Sequence, residues 1–206
     1  FDVVSCCEGK TRSIFAHWGP PDPSRQLDPA AWRTEPIPAA AGRQQWMFCV
    51  PLQVDGRHGP DLVAGGKGAG AEIGWLEAPA DPRDLPAWRW HPLAPVAWTM
   101  SLVPHDIDQD GDADILFSER RGAEPGCRWL ENPGPGPNQS MPWPMHQVGA
   151  PGDEQMFICL ADLDQDGAQD VVGAVLAHKL LWHRRVAAAP PRWETIAIAT
   201  PAEAGL

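Results

Sequence analysis

Two nine-residue stretches of the sequence, 106–114 and 162–170, carry aspartate at positions 1, 3, 5 and 9 and glycine at position 6. Aspartates at alternate positions can point their carboxylates towards one centre, and the glycine permits the sharp turn that this requires. Ca²⁺ takes about six to eight oxygen ligands, and the backbone carbonyl at position 7 can supply one of them. We therefore predict a Ca²⁺ site in each stretch, two in all. The predicted ligands are Asp106, Asp108, Asp110, Asp112 through its carbonyl and Asp114 in the first site, and Asp162, Asp164, Asp166, Ala168 through its carbonyl and Asp170 in the second.

The place of the last acid distinguishes these loops from the calcium loop of a helix–loop–helix protein. Such a loop ends with glutamate at position 12, whereas position 12 here is Phe117 in one copy and Gly173 in the other. The last acid is instead the aspartate at position 9, directly before aliphatic residues that favour a strand. The stretches are thus predicted to be loops that join two strands. An acidic, solvated hairpin without a metal is the alternative.

A third stretch, 53–61, keeps only part of this pattern. Asp55 and Asp61 remain, but Gln53 replaces the first acid and Arg57 replaces the third. The arginine brings a positive charge to the place where a cation would bind, so a salt bridge can replace the metal. We predict no tight metal site in this stretch.

The acidic stretches belong to a longer internal repeat. Two columns of tryptophan recur at spacings between 50 and 57 residues, and each unit reads as four strands. Tandem four-stranded units of about 40–50 residues are typical of β-propellers. A tryptophan at matching depth in every unit would pack between neighbouring sheets. The first column is Trp18, Trp75, Trp129 and Trp182, and the second is Trp32, Trp88, Trp143 and Trp193.

The sequence therefore predicts an all-β fold, a single β-propeller segment of four-stranded antiparallel blades. The repeat units run over residues of about 1–46, 47–98, 99–154 and 155–206. The first unit lacks a first strand and an acidic stretch, so we expect a four-blade portion of a larger propeller of about seven blades. A four-bladed ring with one three-stranded blade and a β-sandwich of short strands are the alternatives.

Composition narrows the classes of function. A net charge of −11 disfavours binding to the phosphates of nucleic acids. The 24 prolines and 20 glycines disfavour long helices. No apolar run reaches the length of about 18 residues that a membrane-spanning helix needs. The five cysteines include no C-x-x-C pair and do not indicate a complete disulfide framework.

Tandem D-x-D-x-D-G-x-x-D loops between strands resemble FG-GAP/VCBS repeats, as found in the heads of integrin α-subunits and in many bacterial secreted proteins. The resemblance covers nearly the whole chain. It implies a propeller in which these loops join the first and second strands of a blade and bind Ca²⁺ on one face, at the positions named above. Two further motifs resemble a bacterial and fungal branch of these repeats that is similar to the propeller of aldos-2-ulose dehydratases, which act on sugar derivatives. They are Trp-Leu-Glu-Asn-Pro at 129–133 and Trp-x-x-His at 143–146.

Two functions follow as hypotheses. The first is a calcium-stabilised propeller, secreted or periplasmic, that serves as a binding or adhesion scaffold for a protein or carbohydrate ligand. Millimolar extracellular calcium would keep even weak sites filled. The alternative is a carbohydrate-active lyase or dehydratase, with histidine and carboxylate side chains converging at the central channel of the propeller. The sequence contains no nucleophile elbow and no zinc-protease motif, but a catalytic site in a propeller is assembled from loops of several blades, so both functions stay open.

Overall fold

The structure is a computed structural model that describes residues 2–149, 151–175 and 179–199. In these residues the chain forms fifteen strands and five 3₁₀ helices of three or four residues, without an α-helix. The strands make four antiparallel sheets, one with three strands and three with four. The all-β antiparallel architecture predicted from the sequence is therefore confirmed.

Strands that follow one another in the chain are neighbours in each sheet. The first sheet contains β1 (Asp2–Cys6), β2 (Ile14–Trp18) and β3 (Arg33–Pro36), and the second contains β4 (Gln45–Leu52), β5 (Asp61–Lys67), β6 (Glu72–Glu77) and β7 (Arg89–Pro95). The third contains β8 (Thr99–His105), β9 (Asp114–Glu119), β10 (Gly126–Leu130) and β11 (Met145–Gly149), and the fourth contains β12 (Gln155–Ala161), β13 (Asp170–Val175), β14 (Lys179–Ala188) and β15 (Pro191–Ala199). The outer ends of the first and last predicted units, residue 1 and residues 200–206, lie outside the described residues.

The 3₁₀ helices lie in the connections between strands. Each has proline in its first turn, where the missing N–H costs nothing. None of the described helices has the length or the apolar character that crossing a bilayer requires. The helices span Pro23–Arg25, Pro29–Ala31, Pro38–Ala40, Leu85–Ala87 and Pro137–Ser140.

The second strands of the four-stranded sheets, β5, β9 and β13, are the most buried. All six residues of β9 are buried, including the run Ile115, Leu116 and Phe117. A continuous apolar run of this kind is typical of a strand that is covered on both faces, because the residues that point to either face are then buried. Each of these strands begins with the aspartate at position 9 of an acidic stretch.

Successive sheets pack face to face, and a hydrophobic cluster fills each of the three gaps between them. Each gap receives a first-column tryptophan from one sheet and a second-column tryptophan from the next sheet. The expectation that these columns pack between sheets is confirmed for these six residues, of which Trp193 is only partly buried. The pairs that share a gap are Trp18 with Trp88, Trp75 with Trp143, and Trp129 with Trp193.

The first strands of the three four-stranded sheets are also neighbours in space. β4 contacts β8, and β8 contacts β12. The acidic stretches follow these strands directly, so the sheet packing brings the loops 53–61 and 106–114 close to residues of the next repeat unit. Those residues take part in the candidate sites described next.

Candidate metal centres

The aspartate at position 9 holds each acidic loop against two strands. Asp114, which is 1% exposed, accepts the backbone N–H of Ile107 on Oδ2 and that of Asn132 on Oδ1, both at 2.8 Å. Ile107 lies in the loop and Asn132 follows the third strand, so a single carboxylate joins the loop to the sheet. The equivalent bonds are from Val54 and Ala78 to Asp61 at 2.9 and 2.8 Å, and from Leu163 and Arg185 to Asp170 at 3.2 and 2.8 Å.

All three loops share the same unusual backbone conformation. Positions 4 and 6 have positive φ in every copy, a region that residues other than glycine seldom adopt. The glycine needed there stands at position 6 in two loops and at position 4 in the third, and the other position carries glutamine or histidine. The φ values are 67° and 100° for Gln109 and Gly111, 61° and 90° for Gln165 and Gly167, and 69° and 57° for Gly56 and His58.

Three carboxylates converge in the loop 106–114. Oxygen atoms of Asp106, Asp108 and Asp114 all lie within 4.8 Å of one another. Asp106 Oδ2 accepts the N–H of Gly111 at 3.1 Å, but Asp106 Oδ1 is buried without a hydrogen-bond partner among the described residues. A buried carboxylate oxygen is costly unless a donor or a cation satisfies it. This oxygen therefore fits a cation bound between the three carboxylates.

Electrostatic repulsion within the same loop also favours a cation. Burial raises the pKa of Asp114 to about 7 against the opposing effect of its two N–H donors, and Asp108 and Asp110 raise it further. Burial likewise raises the pKa of Asp108, with added repulsion from Asp110 and Glu131. A divalent cation would relieve this repulsion and favour the ionised carboxylates.

The loop 162–170 has the same shape but a different charge balance. Oxygen atoms of Asp162, Asp164 and Asp166 lie within 4.8 Å of one another. Both oxygens of Asp162 accept backbone N–H groups, from Asp166 at 3.1 Å and from Gly167 at 3.0 Å. The Arg184 guanidinium donates to Asp164 Oδ2 at 2.5 Å and holds the pKa of Asp164 below its usual range. The positively charged side chain of Arg184 thus already contacts this group of carboxylates.

In the loop 53–61, side-chain donors replace the missing acids. Arg57 Nε donates to Asp55 Oδ2 at 2.8 Å, which confirms the salt bridge predicted from the sequence. The side-chain amide of Gln53 donates to the carbonyls of Arg57 at 3.0 Å and Gly59 at 2.9 Å. Gly59 stands at position 7, whose carbonyl is a predicted ligand in the other two loops. Positive and N–H donor groups therefore lie at the centre of this loop.

A position on the third strand, or directly after it in the third sheet, was missed by the sequence reasoning. It lies two residues after the first-column tryptophan and is Glu77, Glu131 or Arg184 in successive sheets; we call it the loop-facing position. Glu77 Oε1 is 3.3 Å from Arg57 Nη2, and Arg184 contacts Asp164 as described above. The signal was available in the sequence, since the tryptophan column fixes the position, but only the fold shows that its side chain reaches the loop.

Side chains from the following sheet also bond to the loops. The amide of Gln139, in the third sheet, donates to the carbonyl of Val54 at 2.5 Å. The guanidinium of Arg185, in the fourth sheet, donates to the carbonyl of Ile107. Both carbonyls are at position 2 of an acidic loop, and both side chains are nearly fully buried. The loops 53–61 and 106–114 are therefore each fixed by their own sheet and by residues of the next repeat unit.

A cleft of about 490 Å³ opens beside the loop 106–114. Asp108 and Asp110 border it on one side, and the tip of the β14–β15 hairpin at 189–191 borders it on the other. His146 stacks on Trp129 at the cleft wall, with ring centroids 4.5 Å apart, and its Nε2 lies 2.6 Å from Glu131 Oε2. The cleft gives solvent and ions a route to the loop.

The structure brings six of the ten predicted ligand residues into two groups, Asp106, Asp108 and Asp114, and Asp162, Asp164 and Asp166. Asp110 and Asp170 lie outside these groups. Asp110 Oδ1 accepts the N–H of Asp112 at 2.9 Å, and the carboxylate of Asp170 is engaged by the N–H groups described above. Asp112 and Ala168, which were predicted to ligate through their carbonyls, follow the turn at position 6 in both loops.

The chain matches no family model, and no curated protein matches it in sequence. The resemblance to FG-GAP/VCBS repeats therefore rests on the loop motif and on the repeat.

Proposed function

We propose that this chain is a segment of a calcium-binding β-propeller of the FG-GAP/VCBS type, which acts as an extracellular or periplasmic binding scaffold. The observation that carries the metal assignment is the buried, unpartnered Asp106 Oδ1 inside a group of three carboxylates. A hard cation that prefers oxygen ligands suits this donor set, since the group offers only carboxylate oxygens.

The loop without the full acidic pattern supports the same assignment. At its centre, Arg57 neutralises Asp55 and the Gln53 amide satisfies the carbonyls. The protein thus supplies positive and N–H donor groups where the acids are missing. In the loop 106–114, by contrast, the described residues form no salt bridge to the aspartates. A bound cation would neutralise the aspartates of this loop, as Arg57 neutralises Asp55 in the other.

The propeller arrangement is supported by the sheet packing. Four successive antiparallel sheets stack face to face, their first strands are neighbours, and each gap holds one tryptophan from each column. This is the relation between successive blades of a propeller. It is less suited to a β-sandwich, in which only two sheets enclose one core.

Calcium in this arrangement would stabilise the fold. The loop 106–114 joins β8 to β9, and Asp114 joins the same loop to the residue after β10. A cation held by these carboxylates binds the folded chain and not the unfolded one, so binding adds to stability. At a free Ca²⁺ concentration of 100 times the dissociation constant the gain is about 2.7 kcal/mol.

The proposed ligand of the scaffold is a protein or a carbohydrate. The enzymatic alternative requires histidine and carboxylate groups that converge on the first strands. The two histidine–glutamate pairs among the described residues are His91 with Glu77 and His146 with Glu131. These residues belong to the third and fourth strands and their adjoining loops, so they do not favour the alternative.

The assignment is tested by calorimetric titration of the calcium-free chain with Ca²⁺ and by thermal unfolding with and without a chelator. We expect binding, and a fall in the thermal midpoint of about 5–10 °C when calcium is removed. The double variant Asp106→Asn plus Asp108→Asn should lose the calcium-dependent part of the midpoint. The exposed pair Asp81→Asn plus Asp84→Asn makes the same charge change and should keep it. No heat of binding and an unchanged midpoint would overturn the proposal.

A further inference from the structure

The loop-facing position carries opposite charges in the two fully acidic repeats. It is Glu131 beside the loop 106–114 and Arg184 beside the loop 162–170. Two contacts show that a side chain at this position reaches the loop: Glu77 contacts Arg57, and Arg184 contacts Asp164. Glu131 borders the same cleft as Asp108 and Asp110. The charge at this position is therefore felt by the carboxylates of the loop.

Arg184 already neutralises one carboxylate of the loop 162–170, that of Asp164. Its Nε is 2.5 Å from Asp164 Oδ2, and Glu194, 4.0 Å from its Nη1, lies on its other side. Asp162 has a backbone N–H on each oxygen, so neither is left without a partner. A cation that uses Asp164 must displace the guanidinium and overcome its repulsion.

The loop 106–114 is in the opposite state. Asp106 Oδ1 is buried and has no hydrogen-bond partner in the described part of the chain, whereas both oxygens of the equivalent Asp162 accept N–H groups. Arg185 lies near this loop too, but its hydrogen bonds go to backbone carbonyls, including that of Ile107, and not to the aspartates. Glu131 adds a further negative charge, which attracts a divalent cation and repels the neighbouring carboxylates.

We propose that the loop-facing position sets the affinity of each loop for a divalent cation, so that Glu131 makes 106–114 the tight site and Arg184 makes 162–170 the weak one. This inference rests on the proposed function, because it ranks sites that the function requires. Affinities of oxygen-ligand calcium sites vary over orders of magnitude with the number of ligand charges. We expect the two dissociation constants to differ by at least about tenfold.

The experiment is calorimetric titration of the full chain with Ca²⁺ at fixed ionic strength. The wild type should show one tight and one weak site, and Asp162→Asn plus Asp164→Asn should remove only the weak one. Arg184→Glu should tighten the weak site by about tenfold or more, and Glu131→Arg should weaken the tight site by a similar factor. Lys10→Glu and Glu124→Arg, at exposed positions in other hairpins, make the same charge changes and should alter neither site.

The outcomes separate this inference from the proposed function. Two sites of equal affinity, or an Arg184→Glu variant that binds no more tightly than Lys10→Glu, would overturn the inference and leave the calcium assignment intact. A tight site that disappears in Asp162→Asn plus Asp164→Asn would reverse the ranking and also overturn it. A wild type that binds no Ca²⁺ in either loop would remove the proposed function itself.

Discussion

Replacing Asp114 by alanine separates the structural role of position 9, which holds the loop against the sheet, from any role in binding metal. In the wild type, Asp114 accepts N–H groups from Ile107 and Asn132, which are 1% and 3% exposed. The variant leaves both donors buried and without a partner. Each such group costs about 1–3 kcal/mol, so the variant should lose about 2–6 kcal/mol of unfolding free energy even without calcium.

The matched control is Asp110→Ala, which removes an aspartate from the exposed part of the same loop. Asp110 accepts only the exposed N–H of Asp112, which water can satisfy, so the loss without calcium should stay below about 0.5 kcal/mol. With calcium present each variant also loses a predicted ligand, so a loss of stabilisation by the metal would add to both effects. The two variants are therefore compared without calcium, where the difference between them reports the hydrogen bonds of the two aspartates.

The assay is urea unfolding in EDTA at about pH 4, followed by fluorescence of the buried tryptophans. Burial raises the pKa of Asp114 to about 7, so its carboxyl is neutral in the folded chain at this pH, and in the unfolded chain about half of it is neutral as well. Proton uptake on folding is then small, and the measured loss reports mainly the hydrogen bonds. If Asp114→Ala in EDTA were no less stable than Asp110→Ala, the structural role assigned to position 9 would be refuted.

Three further predictions concern other parts of the chain. Burial lowers the pKa of His183 to about 4, so between about pH 4 and 6.5 the unfolded chain binds the proton that the folded chain does not. The contribution of His183 to stability in EDTA should therefore fall as the pH is lowered through this window, opposite in sign to that of Asp114, whose pKa is raised to about 7. His183→Gln should therefore gain stability relative to the wild type as the pH is lowered through the window; equal slopes would count against it. Trp143→Ala, which empties part of an inter-sheet gap, should cost about 3–5 kcal/mol in urea unfolding, clearly more than Trp32→Ala, whose side chain is half-buried. Gln53→Asp plus Arg57→Asp should give the chain a third calorimetric Ca²⁺ site, and an unchanged stoichiometry would show that the loop frame alone does not suffice.

The repeat made most of the fold predictable. The tryptophan columns gave the number of units and the packing of Trp18, Trp75 and Trp129 between sheets, because the same residue type recurs at the same depth. The loops could be placed between strands since aliphatic runs follow position 9. The pairing of the two columns within each gap was not predictable, because it depends on which face each strand turns to the next sheet.

The candidate sites could be predicted only in part from the sequence. The motif placed the aspartates on one loop, but it gave the same role to all of them. The structure distinguishes Asp114 and Asp170, which each accept an N–H from outside the loop, from Asp106 and Asp162, whose N–H donors lie within the loop. Arg184 was likewise invisible to the motif, since it is distant in sequence from Asp164 and meets it only through the packing of β14 beside the loop.

The loop 53–61 shows that a bound cation is not needed for the conformation of these loops. It lacks two of the acids, yet Asp61 makes the same two backbone hydrogen bonds and positions 4 and 6 keep positive φ. The loop conformation is therefore determined by the buried aspartate and the turn, independently of a metal. A cation at the loop 106–114 would instead neutralise carboxylates that the frame has already brought together. For this reason, calcium removal should lower the thermal midpoint without unfolding the sheets, and far-UV circular dichroism at room temperature should remain that of an all-β protein.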